Sequence, residues 1–233
     1  MVPRASGLLL VGAVGCGAPR VEADHHPLSD GHIHSPAECR GVEPPSDPLA
    51  VFVKPAKGNL VGHLTPAEKD AFSRFHTSHD YVAPAEKRSM LAVMLRATER
   101  GAFAQGTFLV AVGQGELGLF VHARANAHLA AEQALGASPP RPELADAARR
   151  EAARSAEHVA SLRFDLAKMG PDASAWLDGR FLWDGASIEV VAGTYRLAMF
   201  RQGVCVQRPL WAKGKERTRI EFASAIEVAP DTP

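Results

Sequence analysis

Residues 162–167 read LRFDLA, in which large apolar residues alternate with charged or small ones. An alternation of period two is typical of a strand that buries one face. Asp178-Gly179 favours a tight hairpin turn, because a type I′ turn requires positive φ at both central residues. Further strand-like runs follow, at 175–177, 188–191, 194–200, 204–211 and 218–222. These runs predict a small antiparallel β-sandwich or open barrel over residues 161–224.

A helix-rich region precedes these strands. It begins at residues 65–68, which read TPAE and form a capping box with Pro at the first helical position. Residues 107–123 fit either a hairpin or a pair of helices, and we favour helices. Other helices are predicted from apolar residues at helical spacing, at 84–101, 123–135 and 143–158. Residues 51–160 therefore predict a helix-rich domain, and the chain as a whole predicts an α+β fold.

The first residues have the pattern of an export signal. Residues 5–15 are small and mostly apolar and follow the basic residue Arg4. No acidic residue occurs before Glu22, as is typical of a signal peptide. An apolar stretch this short is below the roughly 20 residues that a helix needs to span a membrane. Residues 1–15 are therefore predicted to be a cleaved signal peptide.

Residues 13–17 read AVGCG, which resembles the lipobox of bacterial lipoproteins. The resemblance implies that Cys16 becomes the mature N-terminus and carries the lipid. Ala13 stands where that family usually has Leu, so cleavage by the ordinary signal peptidase remains open. A lipid anchor implies a protein of the bacterial cell envelope, held to a membrane and facing the periplasm or the cell surface.

The segment that follows is rich in proline. Residues 17–50 contain six prolines and few large apolar residues, too few to offset the entropy of ordering the segment. Residues 16–50 therefore predict a disordered tether that holds the folded part away from the membrane surface. Residues 225–233 predict a disordered tail.

Four histidines lie close together in this tether. Neutral imidazoles in a flexible segment can bind Zn²⁺, Cu²⁺ or Ni²⁺, which gives one alternative function, a metal-binding envelope protein. The four residues are His25, His26, His32 and His34. A polar tether in which the histidines bind nothing is favoured, and no cofactor is expected.

Cys39 and Cys205 form the only possible intramolecular disulfide if Cys16 is lipidated. Export to an oxidising compartment permits such a bond. No rule of sequence spacing brings the two residues together, which favours free thiols. Both states remain open.

Charge and motifs argue against two classes of function. Lys plus Arg total 26 and Asp plus Glu total 26, so the chain has no overall basic charge with which to bind nucleic acid. It has no Gly-x-Ser-x-Gly motif, phosphate-binding loop, Cys-x-x-Cys motif or dinucleotide fingerprint. A non-catalytic protein is therefore predicted. The alternative is a hydrolase that uses His76 and His79. These histidines lie about one helical turn apart, on the same predicted helix face as Phe72 and Phe75. Such a site would also need an acid or a nucleophile beside them.

The C-terminal strands also resemble a PEGA domain, a small β module of bacterial envelope proteins. Residues 176–180 read WLDGR, residues 192–197 read AGTYRL, and the turn at Gly203 precedes a strand and a second glycine, Gly214. The resemblance covers about residues 160–224. It implies an accessory domain without an active site, which mediates contacts with other envelope proteins or with cell-wall polymer.

Overall fold

The computed structural model describes residues 35–54, 63–101, 103–170 and 172–221. Within these ranges the α-helices precede the strands, and the predicted α+β fold is confirmed. The helices are α1 (Pro36–Arg40), α2 (Pro66–Ser78), α3 (Pro84–Thr98), α4 (Ala104–Glu116), α5 (Phe120–Leu135) and α6 (Pro142–Ala156). The strands are β1 (Val159–Asp165), β2 (Ser174–Leu177), β3 (Arg180–Leu182), β4 (Ser187–Val191), β5 (Gly193–Arg201), β6 (Val204–Ala212) and β7 (Arg217–Glu221).

Helices α2 to α6 form the helical region. The capping box at the start of α2 is present: the Thr65 hydroxyl accepts from the Glu68 N–H, and the Glu68 carboxylate accepts from the Thr65 N–H. Residues 107–123 form a pair of helices, as favoured, with a turn at 117–119 between α4 and α5. Gly113 and Gly115 lie within α4 and do not form a hairpin turn. Instead Gly113 lets α4 approach Phe75 so closely that an added Cβ would lie 3.0 Å from the ring.

Two sheets form the β-sandwich that follows. One has the order β3-β2-β5-β6 and is antiparallel throughout, and the other has the order β4-β1-β7. They share a core of buried apolar side chains, among them Leu162 and Phe164 from β1 and Leu197 from β5. The predicted Asp178-Gly179 turn is confirmed, with φ of 46° and 78° at the two residues.

One strand pair differs from the predicted antiparallel arrangement. Strand β1 pairs antiparallel with β4 but parallel with β7, with Ser161 opposite Arg217 and Phe164 opposite Ile220. Alternation in the sequence shows which face of β7 is buried but does not show which neighbour it pairs with or in which direction. The chain returns after β6 to the free edge of β1, which places its last described strand beside its first.

The predicted tether is wrong for residues 35–50. Ser35 caps α1, and Cys39 and Leu49 are buried, with exposures of 1% and 5%. The carboxylate of Asp47 accepts two hydrogen bonds from Arg88 on α3, at 2.9 and 2.8 Å. This segment has few apolar side chains, but it is ordered because it binds both the helical region and the sandwich.

Other predicted segments lie outside the described residues. These are the signal peptide at 1–15, the first part of the tether at 16–34 and the tail at 225–233. Among the residues that the structure does describe, no helix has both the length and the apolar character needed to cross a membrane.

Candidate functional site

A cleft of about 520 Å³ lies between the helical region and the sandwich, and we call it the interdomain cleft. The helical side contributes residues near the start of α5, and the sandwich contributes β4 and its neighbours. The side chains that give the cleft its chemistry are Phe52, His122, Arg180, Trp183, Glu189 and Tyr195.

Buried amides hold the segment that carries Phe52. The Val53 N–H donates to Asn126 Oδ1 at 2.8 Å, and Asn126 Nδ2 donates to the Val51 carbonyl at 2.9 Å. Asn126 Nδ2 also donates to Gln114 Oε1 at 2.7 Å. Both amide side chains are buried, so each bond forms away from competing water. The bonds fix the extended backbone and therefore fix the position of Phe52.

The Phe52 ring is 52% exposed and contacts His122 on α5, with ring centroids 4.3 Å apart. Burial lowers the pKa of His122, although the charge of Asp47 opposes that shift. A neutral imidazole is therefore favoured at neutral pH, and this wall of the cleft is aromatic and largely uncharged.

The opposite wall is held by turns of the sandwich. Asp184 Oδ1 accepts hydrogen bonds from the backbone N–H groups of Leu166 and Ala167, at 2.7 and 3.1 Å, which fixes the turn that follows Trp183. Trp183 is 59% exposed. The Tyr195 hydroxyl donates to the Val191 carbonyl at 2.6 Å, and burial raises its pKa, so it is a neutral phenol at physiological pH. Rigid exposed aromatics at a concave surface are typical of an interaction site.

The predicted hydrolase site is only partly present. His76 is exposed, so its predicted position on the apolar face is wrong. His79 stacks on Phe75, with centroids 5.2 Å apart, and its Nδ1 lies 2.9 Å from the Phe75 carbonyl oxygen. His79 Nε2 lies 3.3 Å from a Glu116 carboxylate oxygen, which is the acid that the hypothesis requires. His79 therefore has an acid beside it, whereas His76 lies on the exposed side of α2.

The surroundings of Glu116 favour a structural role for this cluster. Lys87 Nζ lies 2.5 Å from Glu116 Oε2, and Asp80 Oδ1 lies 3.5 Å from His79 Nε2, the same nitrogen that faces Glu116. His79, Asp80 and Glu116 place three ligand atoms within 4.8 Å of one another, a spacing that a metal ion can use. Lys87 already supplies the positive charge there and would repel a cation. The cluster joins α3 to α4 through the Lys87–Glu116 ion pair, and His79, which follows α2, packs against it.

The two remaining cysteines are joined in the structure. The Sγ atoms of Cys39 and Cys205 are 2.11 Å apart and the Cα atoms 5.6 Å apart. The disulfide links α1 to β6 and is buried beside Trp176 and Ala198. The expectation of free thiols is therefore wrong. The fold brings together two cysteines that are 166 residues apart in the sequence, and their spacing gives no sign of this.

The other predicted site residues lie outside the described residues. These are the lipidation residue Cys16 and the metal-binding candidates His25, His26, His32 and His34. Lipidation and metal binding at these positions stay predictions.

The sequence alone does not identify the residues of the interdomain cleft. Asn126 offered one signal, since an amide in the alanine-rich stripe of α5 must find partners when it is buried. Trp183 before Asp184-Gly185 was another, because an aromatic next to a turn is often left at the surface. Neither signal shows that the two walls face each other.

The chain matches no family model, and no curated protein and no solved structure matches it either. The likeness of the C-terminal strands to PEGA domains therefore stays a resemblance in the residues themselves.

Proposed function

We propose that the chain is an exported, lipid-anchored protein of the bacterial cell envelope that acts without catalysis, through contacts with other envelope proteins or with cell-wall polymer. The observation that carries the proposal is the Cys39–Cys205 disulfide. Such bonds form and persist in oxidising compartments and are rare in the reducing cytosol. A buried disulfide is therefore the chemistry expected of a chain that has been exported.

Two features of the sequence support the same location. The apolar leader ends in the lipobox-like run at Cys16, and the sandwich resembles a PEGA domain. Both are features of envelope proteins. Neither depends on Cys39 or Cys205, so they support the location independently of the disulfide. An anchored chain would present its folded part to the periplasm or to the cell surface.

The interdomain cleft is the surface that we assign to the interaction. Phe52 and Trp183 are each more than half exposed and lie on opposite walls, one from the helical region and one from the sandwich. Aromatic side chains supply much of the binding free energy of protein interfaces. Hydrogen bonds within each wall hold these rings in place, so little conformational entropy is lost on binding.

Site-specific photo-cross-linking in cells tests this assignment. A photoreactive amino acid at position 52 of the full-length chain should yield a defined cross-linked species. Trp183→Ala should weaken that species about tenfold or more, because it removes the aromatic on the facing wall. The matched control is Trp211→Ala, which removes a tryptophan that is 69% exposed on the edge strand β6, away from the cleft, and should leave the species unchanged. Equal yields from all three proteins would contradict the assignment.

A further inference from the structure

The outer face of the β4-β1-β7 sheet carries a cluster of arginines. Leu162 and Phe164 of β1 point into the sandwich core, so Arg163 between them points outward. Ile220 of β7 is likewise buried, which places Arg217 and Arg219 on the outer face together with Arg163.

The strand register brings these like charges together. In the parallel pair β1–β7, Arg163 lies directly opposite Arg219, and Ser161 lies opposite Arg217. Like charges opposite one another on neighbouring strands destabilise a sheet. Arg219 is paired with Asp165 at 2.6 Å. Within the described ranges, no carboxylate lies at ion-pair distance from Arg163 or Arg217, and both side chains are exposed. The fold therefore holds two uncompensated guanidinium groups next to a third.

These arginines line a concave cavity of about 670 Å³, within the usual size range of small-molecule sites. Its wall includes two acids, and both are already paired: Glu189 with Arg124, and Glu216 with Lys213. Ser161 and Ser187 place hydroxyl groups on the same side of the sheet as Arg163, since Ser161 lies two residues before it on β1 and Ser187 lies directly opposite it on β4. The cavity thus combines excess positive charge with neutral hydrogen-bond donors.

We infer that this cavity binds a small soluble compound that carries phosphate groups, with Arg163 and Arg217 as its principal contacts. A planar guanidinium donates two parallel hydrogen bonds to a phosphate, and two arginines side by side can engage a diphosphate. Bound phosphate would also remove the repulsion between the arginines of β1 and β7. The cavity shares Ser187 and Glu189 with the interdomain cleft, but the inference does not rest on the lipid anchor or on the role proposed for that cleft.

Calorimetric titration of the full-length chain with inorganic pyrophosphate tests the inference. Saturable binding of one pyrophosphate per chain is expected, and Arg163→Ala with Arg217→Ala should weaken it at least about tenfold, since each lost guanidinium removes charge-assisted hydrogen bonds. Arg149→Ala with Arg150→Ala removes the same charge from the exposed face of α6 and should leave the affinity unchanged. An equal loss in both double variants, or no binding to the wild-type chain, would overturn the inference.

Two further measurements separate a built site from general charge and from a membrane surface. Without phosphate, the Arg163→Ala, Arg217→Ala variant should unfold at the same temperature as the wild type or higher, because it relieves the repulsion between the arginines of β1 and β7. Adding pyrophosphate should raise the thermal unfolding midpoint of the wild type but not that of the variant. Arg163→Lys with Arg217→Lys keeps the charge but loses the paired donors, and should bind with intermediate affinity. Sedimentation of the unacylated Cys16→Ala chain with phosphatidylglycerol vesicles but not with phosphatidylcholine vesicles, without any pyrophosphate binding, would assign the surface to lipid and contradict a small-molecule site.

Discussion

Replacing both Cys39 and Cys205 by serine should lower the free energy of unfolding by about 2–5 kcal/mol. The disulfide joins residues 166 positions apart, so its loss greatly increases the conformational freedom of the unfolded chain. The folded state also loses the link that holds α1 against the sandwich, beside Trp176. Urea unfolding followed by intrinsic fluorescence measures the change.

Reduction supplies an independent comparison for this experiment. Dithiothreitol should lower the unfolding midpoint of the wild-type protein to that of the double serine variant, and should leave the variant unchanged. Cys16→Ala should keep the wild-type midpoint, because that residue takes no part in the bond. If the oxidised wild type and the double variant unfold at the same urea concentration, the disulfide does not stabilise the fold.

Asn126→Ala should destabilise the protein by about 3 kcal/mol. The substitution leaves the Val53 N–H and Gln114 Oε1 without partners in a buried site, and each buried unpaired polar group costs about 1–3 kcal/mol. It also releases the segment that carries Phe52, so the Val53 amide should exchange its hydrogen much faster. Urea unfolding measures the free energy, and hydrogen exchange detected by mass spectrometry measures the release of the segment.

His128→Ala is the matched control for this substitution. His128 lies on the same helix, α5, but its side chain is exposed. The change should therefore alter the free energy of unfolding by less than about 0.5 kcal/mol and leave exchange at Val53 as in the wild type. If Asn126→Ala is as stable as His128→Ala, the buried amides do not hold the segment.

Local features of the fold could be predicted because they depend on neighbours in the sequence. The Thr65–Glu68 capping box involves residues three positions apart, and the turn at Asp178-Gly179 depends on the conformation of two adjacent residues. Burial of alternate residues in β1 follows from strand geometry alone. In each case a short stretch contains all the groups that determine the structure.

Long-range features could not be predicted in this way. The parallel pairing of β7 with β1, the disulfide between α1 and β6, and the docking of residues 47–53 on α4 and α5 each join distant parts of the chain. The proline-rich segment predicts disorder because its own apolar residues are few. Its order comes from partners elsewhere, Gln114 and Arg88 among them. The walls of the interdomain cleft also come from distant parts of the chain, residues 52 and 118–122 on one side and residues 180–195 on the other. Neighbours in the sequence do not show that these parts meet, so the cleft could not be predicted.

Intact-mass analysis of the protein from membrane and soluble fractions of a Gram-negative host, beside Cys16→Ala, tests the proposed location most directly. We expect a mature chain that begins at Cys16, carries acyl chains and a Cys39–Cys205 disulfide, and sediments with the membranes. Cys16→Ala should lose the acyl mass and the membrane association but keep the disulfide. An uncleaved, unmodified chain with reduced cysteines in the cytosol would contradict export, the lipid anchor and the envelope partners together.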